Sequence, residues 1–149
     1  MPVNIRPVRA DDRRVWADLW EGYLAFYETI LPASVFDSTF QRLLDPSCPD
    51  LNGIVAEQDG TLIGLCHYIY HRHCWRAEDV CYLQDLFVDP AKRGTGAGRA
   101  LIEAVYDAAD AAGAPAVYWM TQDHNTSARQ LYDRIGALTP FIKYQRPAA

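Results

Sequence analysis

No run of apolar residues in the chain approaches the roughly 20 needed to span a bilayer. The first residues, MPVNIRPVRADD, also lack the apolar block of a secretory leader, so a cytoplasmic location without a membrane partner is expected. Four cysteines, Cys48, Cys66, Cys74 and Cys81, show no Cys-x-x-Cys spacing. In a reducing compartment such residues are expected as small buried or half-buried groups rather than disulfides. Positive charge is not in excess. A net charge of -5 argues against a general nucleic-acid binder and is compatible with a cationic small molecule, although a mildly acidic soluble surface is the simpler explanation. Repeats, low-complexity tracts and linkers are missing too. With 149 residues, 50% of them hydrophobic, the chain suits one domain, residues 1–149, around a single core.

What is there reads as alternating strands and helices. VNIRPVR is strand-like, and DDRRVWADLWEGYLAFYETI places Val15, Trp16, Leu19, Trp20, Tyr23 and Tyr27 at helical spacing after an acidic start. Residues Ser34 to Asp45 can form a second helix, ended by the prolines of DPSCPD. NGIVAEQDGTLIGLCHYIYH then gives two β-prone runs joined at Asp59-Gly60, a strong hairpin signal, and VCYLQDLFV extends this to an antiparallel meander. RALIEAVYDAADAAG carries Leu101, Ile102, Val105 and Ala109 on one helical face. PAVYWMTQ reads as a strand, NTSARQLYDRIG as a helix, and ALTPFIKYQR as a strand again. The order implies a mixed α/β sheet that changes from antiparallel to parallel at a helical crossover, where a ligand crevice opens.

The segment DLFVDPAKRGTGAGRALIEAV puts three glycines at a helix entrance. Glycine is the costliest residue to order, so three in a row of alternate positions require a reason. A Walker loop would need Lys-Ser or Lys-Thr after them, and neither follows. The dinucleotide fingerprint fails as well, its third glycine position being Arg99 or Leu101. What remains is Arg93-x-x-Gly96-x-Gly98 opening a helix, whose first amides lack intrahelical partners and face a positive dipole end. A pyrophosphate supplies the acceptors, and side chains at Gly94, Gly96 or Gly98 would hold it off the backbone.

LFVDPAKRGTGAGRAL resembles the acetyl-coenzyme A loop of the Gcn5-related N-acetyltransferases, Arg/Gln-x-x-Gly-x-Gly/Ala after a strand. NTSARQLYDRIGA is similar to the same family's Asn-x-x-Ala-x-x-x-Tyr-x-x-x-Gly, in the expected order, so the resemblance covers nearly the whole chain. It implies a single α/β domain: a mixed, mostly antiparallel sheet of six to seven strands splayed around a central acetyl-coenzyme A crevice, with about four helices. It also implies acetyl-coenzyme A as cosubstrate, no metal, and a homodimer. The implied cofactor contacts are the backbone of a bulged strand at Leu86, Phe87 and Val88, then Arg93, Gly94, Thr95, Gly96, Ala97, Gly98 and Arg99, and finally Asn125, Ala128 and Tyr132. Tyr132 is the implied proton donor to the departing thiolate. Seven residues separate it from Asn125, about two helical turns, so both can face one groove.

YLQDLFV is similar to the YLEDFFV type of stretch in diamine acetyltransferases, but Gln84 replaces the glutamate and cannot act as a base. The base is therefore unassigned; a water relay or capture of neutral amine would serve. Gln84 stands at the expected amine site, and Asp85, on the strand face opposite it, either binds the cationic amine or is structural. LAFYE resembles LAKYE of the spermidine/spermine enzymes and nominates Tyr27 and Glu28, an aromatic face and a carboxylate suited to an ammonium group. His67, His71 and His73 share strand parity, yet no carboxylate or cysteine spacing completes a metal set, and they are expected to face solvent or substrate. The expected activity is direct acetylation of a small primary amine such as a polyamine or amino acid. Lysines of protein tails are the alternative substrate, and a coenzyme A-binding module without turnover the alternative class.

Overall fold

The computed structural model describes residues 2–148. The chain forms two compact units, Met1–Trp119 and Met120–Ala149. In the first, strand β1 (Asn4–Pro7) leads through a 3-10 turn into helices α1 (Arg13–Phe26) and α2 (Ala33–Leu44). Strands β2 (Leu51–Gln58), β3 (Thr61–His71) and β4 (Val80–Val88) follow, then α3 (Ala97–Ala111) and β5 (Val117–Tyr118). The second unit contains α4 (Thr126–Ile135). One sheet runs in the order β1-β2-β3-β4-β5, antiparallel throughout except for the parallel pair β4 and β5.

Local chemistry accounts for the joints. Asp59 and Gly60 both take positive φ, 53° and 76°, as a two-residue hairpin of the favoured hand requires, and Gln58 pairs Thr61 across it. Asp12 accepts from Arg6 at 2.8 Å and 2.9 Å and from the Arg9 amide at 2.7 Å, so one carboxylate fastens β1 to the start of α1. The Arg6 hydrogen bonds hold that carboxyl below the usual range. Trp16, Leu19, Trp20 and Leu24 form the buried stripe of α1, against Phe40 of α2 and Val55 and Leu65 of the sheet. Leu101, Ile102, Val105 and Ala109 are the buried stripe of α3. At Gly22 an added Cβ would come 2.9 Å from the Phe87 ring, so glycine lets α1 close onto β4.

Several expectations are corrected. The sheet has five strands among the described residues rather than six to seven. PAVYWMTQ pairs only at Val117 and Tyr118, and ALTPFIKYQR joins no ladder; Leu138, Phe141, Ile142 and Tyr144 there are exposed. Strand-forming composition needs a pairing partner to become a strand. Helix α1 stops at Phe26, four residues early, and Val15 lies off its stripe, exposed. All four cysteines are free, Cys66 and Cys81 buried, Cys48 half-buried and Cys74 exposed. Among the described residues no helix is long and apolar enough to cross a membrane.

Candidate active site

β3 and β4 pair His67 with Asp85, then Tyr68 with Leu83, so Gln84 is the extra residue of a β-bulge. Residues opposed across a ladder share a face, which places Leu83 and Asp85 on opposite faces although simple alternation would unite them. Gln84 is left exposed, and Asp85 turns into the core beneath α1, 7% exposed. β4 pairs with β5 only through Cys81–Val117 and Tyr82–Tyr118. Beyond Tyr82, its free side faces no ladder strand among the described residues. Leu86, Phe87 and Val88 follow the bulge, half-buried, with backbone on that side unclaimed by sheet pairing.

Asp85 is met by one indole, that of Trp20, and by His67. His67, expected at a solvent or substrate surface, is instead 3% exposed in the core. Trp16 donates from Nε1 to His67 Nε2 at 2.9 Å, and His67 Nδ1 lies 2.8 Å from Asp85 Oδ2. Indole N–H is a donor only, so Nε2 must accept, and the ring hydrogen sits on Nδ1, donating to Asp85. Trp20 Nε1 donates to the same Oδ2 at 3.2 Å. The Tyr23 hydroxyl donates to the Gln84 carbonyl at 3.3 Å, on the bulge itself. Burial, and then the Asp85 charge, raise Tyr23 and Tyr27; burial, Tyr118 and Asp85 raise Tyr82. All three hydroxyls therefore stay protonated around one carboxylate.

The remaining histidines do not assemble a metal set. His71 hydrogen-bonds the Arg72 carbonyl and the Tyr118 hydroxyl, and His73 accepts from the Trp75 amide. No group of three or more potential metal ligands occurs among the described residues. His71 instead helps fix Tyr118, which stacks on Tyr82 with ring centroids 4.8 Å apart.

At the C-terminus of α1, Tyr27 and Glu28 close the helix. The amides of Glu28 and Thr29 reach back to Ala25 and Leu24 carbonyls, a Schellman pattern whose left-handed position glycine usually occupies. Here it is Glu28, at φ 54°, exposed. Tyr27 is half-buried and packs on Tyr23 at 5.2 Å. The Asp85 charge acts on both Tyr23 and Tyr27.

The glycine loop opens α3 as its spacing implies. Gly94 and Gly96 take φ of 84° and 81°, and a Cβ at either would meet nothing within 4 Å. The space beside the backbone is open. Thr95 ties the loop, donating to the Lys92 carbonyl and accepting from the Ala97 amide. The first helical bond runs from Ala100 to Gly96, so Gly98 and Arg99 amides precede it and point along the helix axis. Arg93 is exposed at the loop's start, whereas Arg99 is engaged with Glu103 at 2.6 Å. In the second unit, Asn125, Ala128 and Tyr132 are half-buried at spacings of three and four, one face of α4. Asn125 stands at its N-terminus and bonds Thr121.

A family model described as Acetyltransferase (GNAT) family matches residues 15–137. The chain belongs to this family. It is an N-acetyltransferase of α/β fold, as the motifs implied. It is 36% identical over 145 residues to the D-amino-acid N-acetyltransferase HPA3 of Saccharomyces cerevisiae, covering 97% of this chain and 90% of that one. It is 29% identical over 144 residues to the uncharacterized N-acetyltransferase YhfO of Bacillus subtilis, covering 95% of each. The fold also matches the structure of AAC(6')-Iy in complex with a bisubstrate analogue of coenzyme A, with TM-score 0.85, 19% identity and 100% of both chains covered.

Glu28 offers a direct test of the amine side. Glu28→Gly relieves the left-handed backbone and should hold or raise stability, by about 1 kcal/mol. If its carboxylate meets the amine, KM for a cationic substrate rises several-fold in the same variant. An unchanged KM in steady-state assays removes Glu28 from the site.

Proposed function

We propose that the protein transfers an acetyl group from acetyl-coenzyme A directly to a primary amine of a small molecule, a polyamine, amino acid or related compound. It would do so as a single catalytic domain in the cytoplasm. The observation that carries this reading is the start of α3, where two left-handed glycines border open space ahead of unpaired helix amides. Arg93, Gly94, Thr95, Gly96, Ala97, Gly98 and Arg99 would cradle the pyrophosphate, and the backbone of Leu86, Phe87 and Val88 would hold the thioester and its developing oxyanion. Asn125 and Ala128 would contact the pantetheine arm, and Tyr132 would protonate the leaving thiolate. Such transfer needs no metal.

On the amine side, Tyr27, Glu28 and Asp85, with Gln84 exposed on the bulge, suit a compact ammonium group. The D-amino-acid acetyltransferase among the relatives supports a small acceptor over a protein tail. A homodimer is part of the proposal, supported by the exposed apolar residues Leu138, Phe141, Ile142 and Tyr144.

Three measurements follow. Mixing the protein with acetyl-coenzyme A and a panel of polyamines, D- and L-amino acids and basic peptides should release thiol with a small amine, and Tyr132→Phe should lower kcat about 100-fold while coenzyme A affinity holds. Binding of coenzyme A without turnover on any amine would leave a binding module instead. Gly96→Val should abolish coenzyme A binding by calorimetry; retained affinity counts against the cradle. Light scattering should return twice the monomer mass of 16.8 kDa, and a monomer at micromolar concentration would remove the dimer.

A further inference from the structure

The glutamine at position 84 leaves the reaction without its simplest base, and the bulge supplies another carboxylate one residue on. Asp85 is nearly buried, and the groups around it are chosen to keep it an acceptor. Both donors on its Oδ2 are neutral, His67 Nδ1–H and Trp20 Nε1–H. Trp16 makes His67 a fixed donor: a proton on Nε2 would face the indole N–H head-on. The remaining titratable groups coupled to Asp85 are Tyr23 and Tyr27 from α1, Cys66 from β3 and Tyr82 on β4, all raised first or second by burial or by its charge. None of them brings a cation. The Tyr23 hydroxyl, half-buried, bonds the Gln84 carbonyl at 3.3 Å, one residue from Asp85 on the bulge, and the Asp85 charge acts on it.

We propose that Asp85 receives the proton of the acceptor amine through the Tyr23 hydroxyl, and that His67, fixed by Trp16, is the positioning residue that aims Asp85. This rests on the acetyl-transfer reading above. The Tyr23 hydroxyl turns from the Gln84 carbonyl to Asp85, and the ammonium nitrogen gives one proton to the Tyr23 oxygen as the hydroxyl proton passes to Asp85. The freed lone pair forms the nitrogen–carbon bond to the thioester carbonyl. The carbon–sulfur bond breaks as the tetrahedral species collapses, Tyr132 protonates the thiolate, and the second proton that the nitrogen sheds restores the Tyr132 hydroxyl. Asp85 then returns its proton to solvent through Tyr23, so one proton is released per acetyl transferred.

The experiment compares kcat, both KM values and pH profiles of the variants, using the amine that the panel assay identifies. Asp85→Asn should lower kcat about 100-fold near neutral pH with KM for acetyl-coenzyme A unchanged. Its rate should then climb about tenfold per pH unit, because only spontaneously neutral amine reacts. Tyr23→Phe should share that profile. His67→Asn keeps an amide donor where Nδ1 was and should retain most of the rate, whereas His67→Gln offers its donor toward Trp16 and should lose it, at comparable melting temperature. Asp85→Asn with wild-type kcat and pH profile overturns the proposal while the acetyltransferase reading stands. Equal rates in the two His67 variants overturn the positioning role. A wild-type protein that acetylates no amine overturns the functional reading and this proposal together.

Discussion

A single carboxylate in the core, that of Asp85, constrains more of this molecule than any other group. Removing a charge from water costs several kcal/mol unless hydrogen bonds replace the lost solvent. Here the replacement donors come from two elements, His67 on β3 and Trp20 on α1, and His67 is held in turn by Trp16 one helical turn earlier on α1. The rotation of α1 about its axis is thereby fixed by polar contacts as well as by its apolar stripe. Trp16 and Trp20 stack at 5.2 Å and lie against Phe36 and Phe40 of α2, so the position of α2 depends on the same pair.

That arrangement depends on the bulge at Gln84. Without the inserted residue, Asp85 would fall on the same face as Leu83, away from His67 and Trp20. With it, β4 presents Leu83 and Cys81 to one layer and Asp85 and Phe87 to the other, and its edge departs from β5 after two paired positions. One local irregularity thus aims a carboxylate and exposes a glutamine. Gly22 completes the geometry by letting α1 approach Phe87 closely enough for Trp20 to reach Asp85.

Much of this was legible in the residues. Periodicity located the four helices within a few residues, Asp59-Gly60 located its hairpin, and the glycine spacing marked the opening of α3. The misses have physical causes. Strand composition in ALTPFIKYQR says that these side chains fit a pleated surface, not that a neighbour is there to pair with. The early stop of α1 comes from Glu28 adopting a conformation that sequence rules reserve for glycine. His67 shared parity with His71, and parity alone cannot tell a buried face from an open one. The clue was Trp16 and Trp20 one turn apart on the preceding helix, two obligatory donors in an apolar stripe that needed buried acceptors.

The contrast between Gln84 and Asp85 shows how a bulge can turn neighbouring side chains into different surroundings, one exposed and one buried. Sequence alignment by motif compares side chains at equal register, and at that register this chain offers an amide. A bulge makes register a local property, so the residue beside the motif position is oriented by its own partners. Gln84 contributes its carbonyl to Tyr23 and leaves its side chain at the surface, where it can meet a substrate without charge. Asp85 supplies the charge from below, shielded by tyrosines that burial and its own field keep protonated. A buried anion ringed by neutral donors is least costly when a cation sits nearby, and on the proposed reading the ammonium group of the acceptor would supply that cation at the aromatic end of α1.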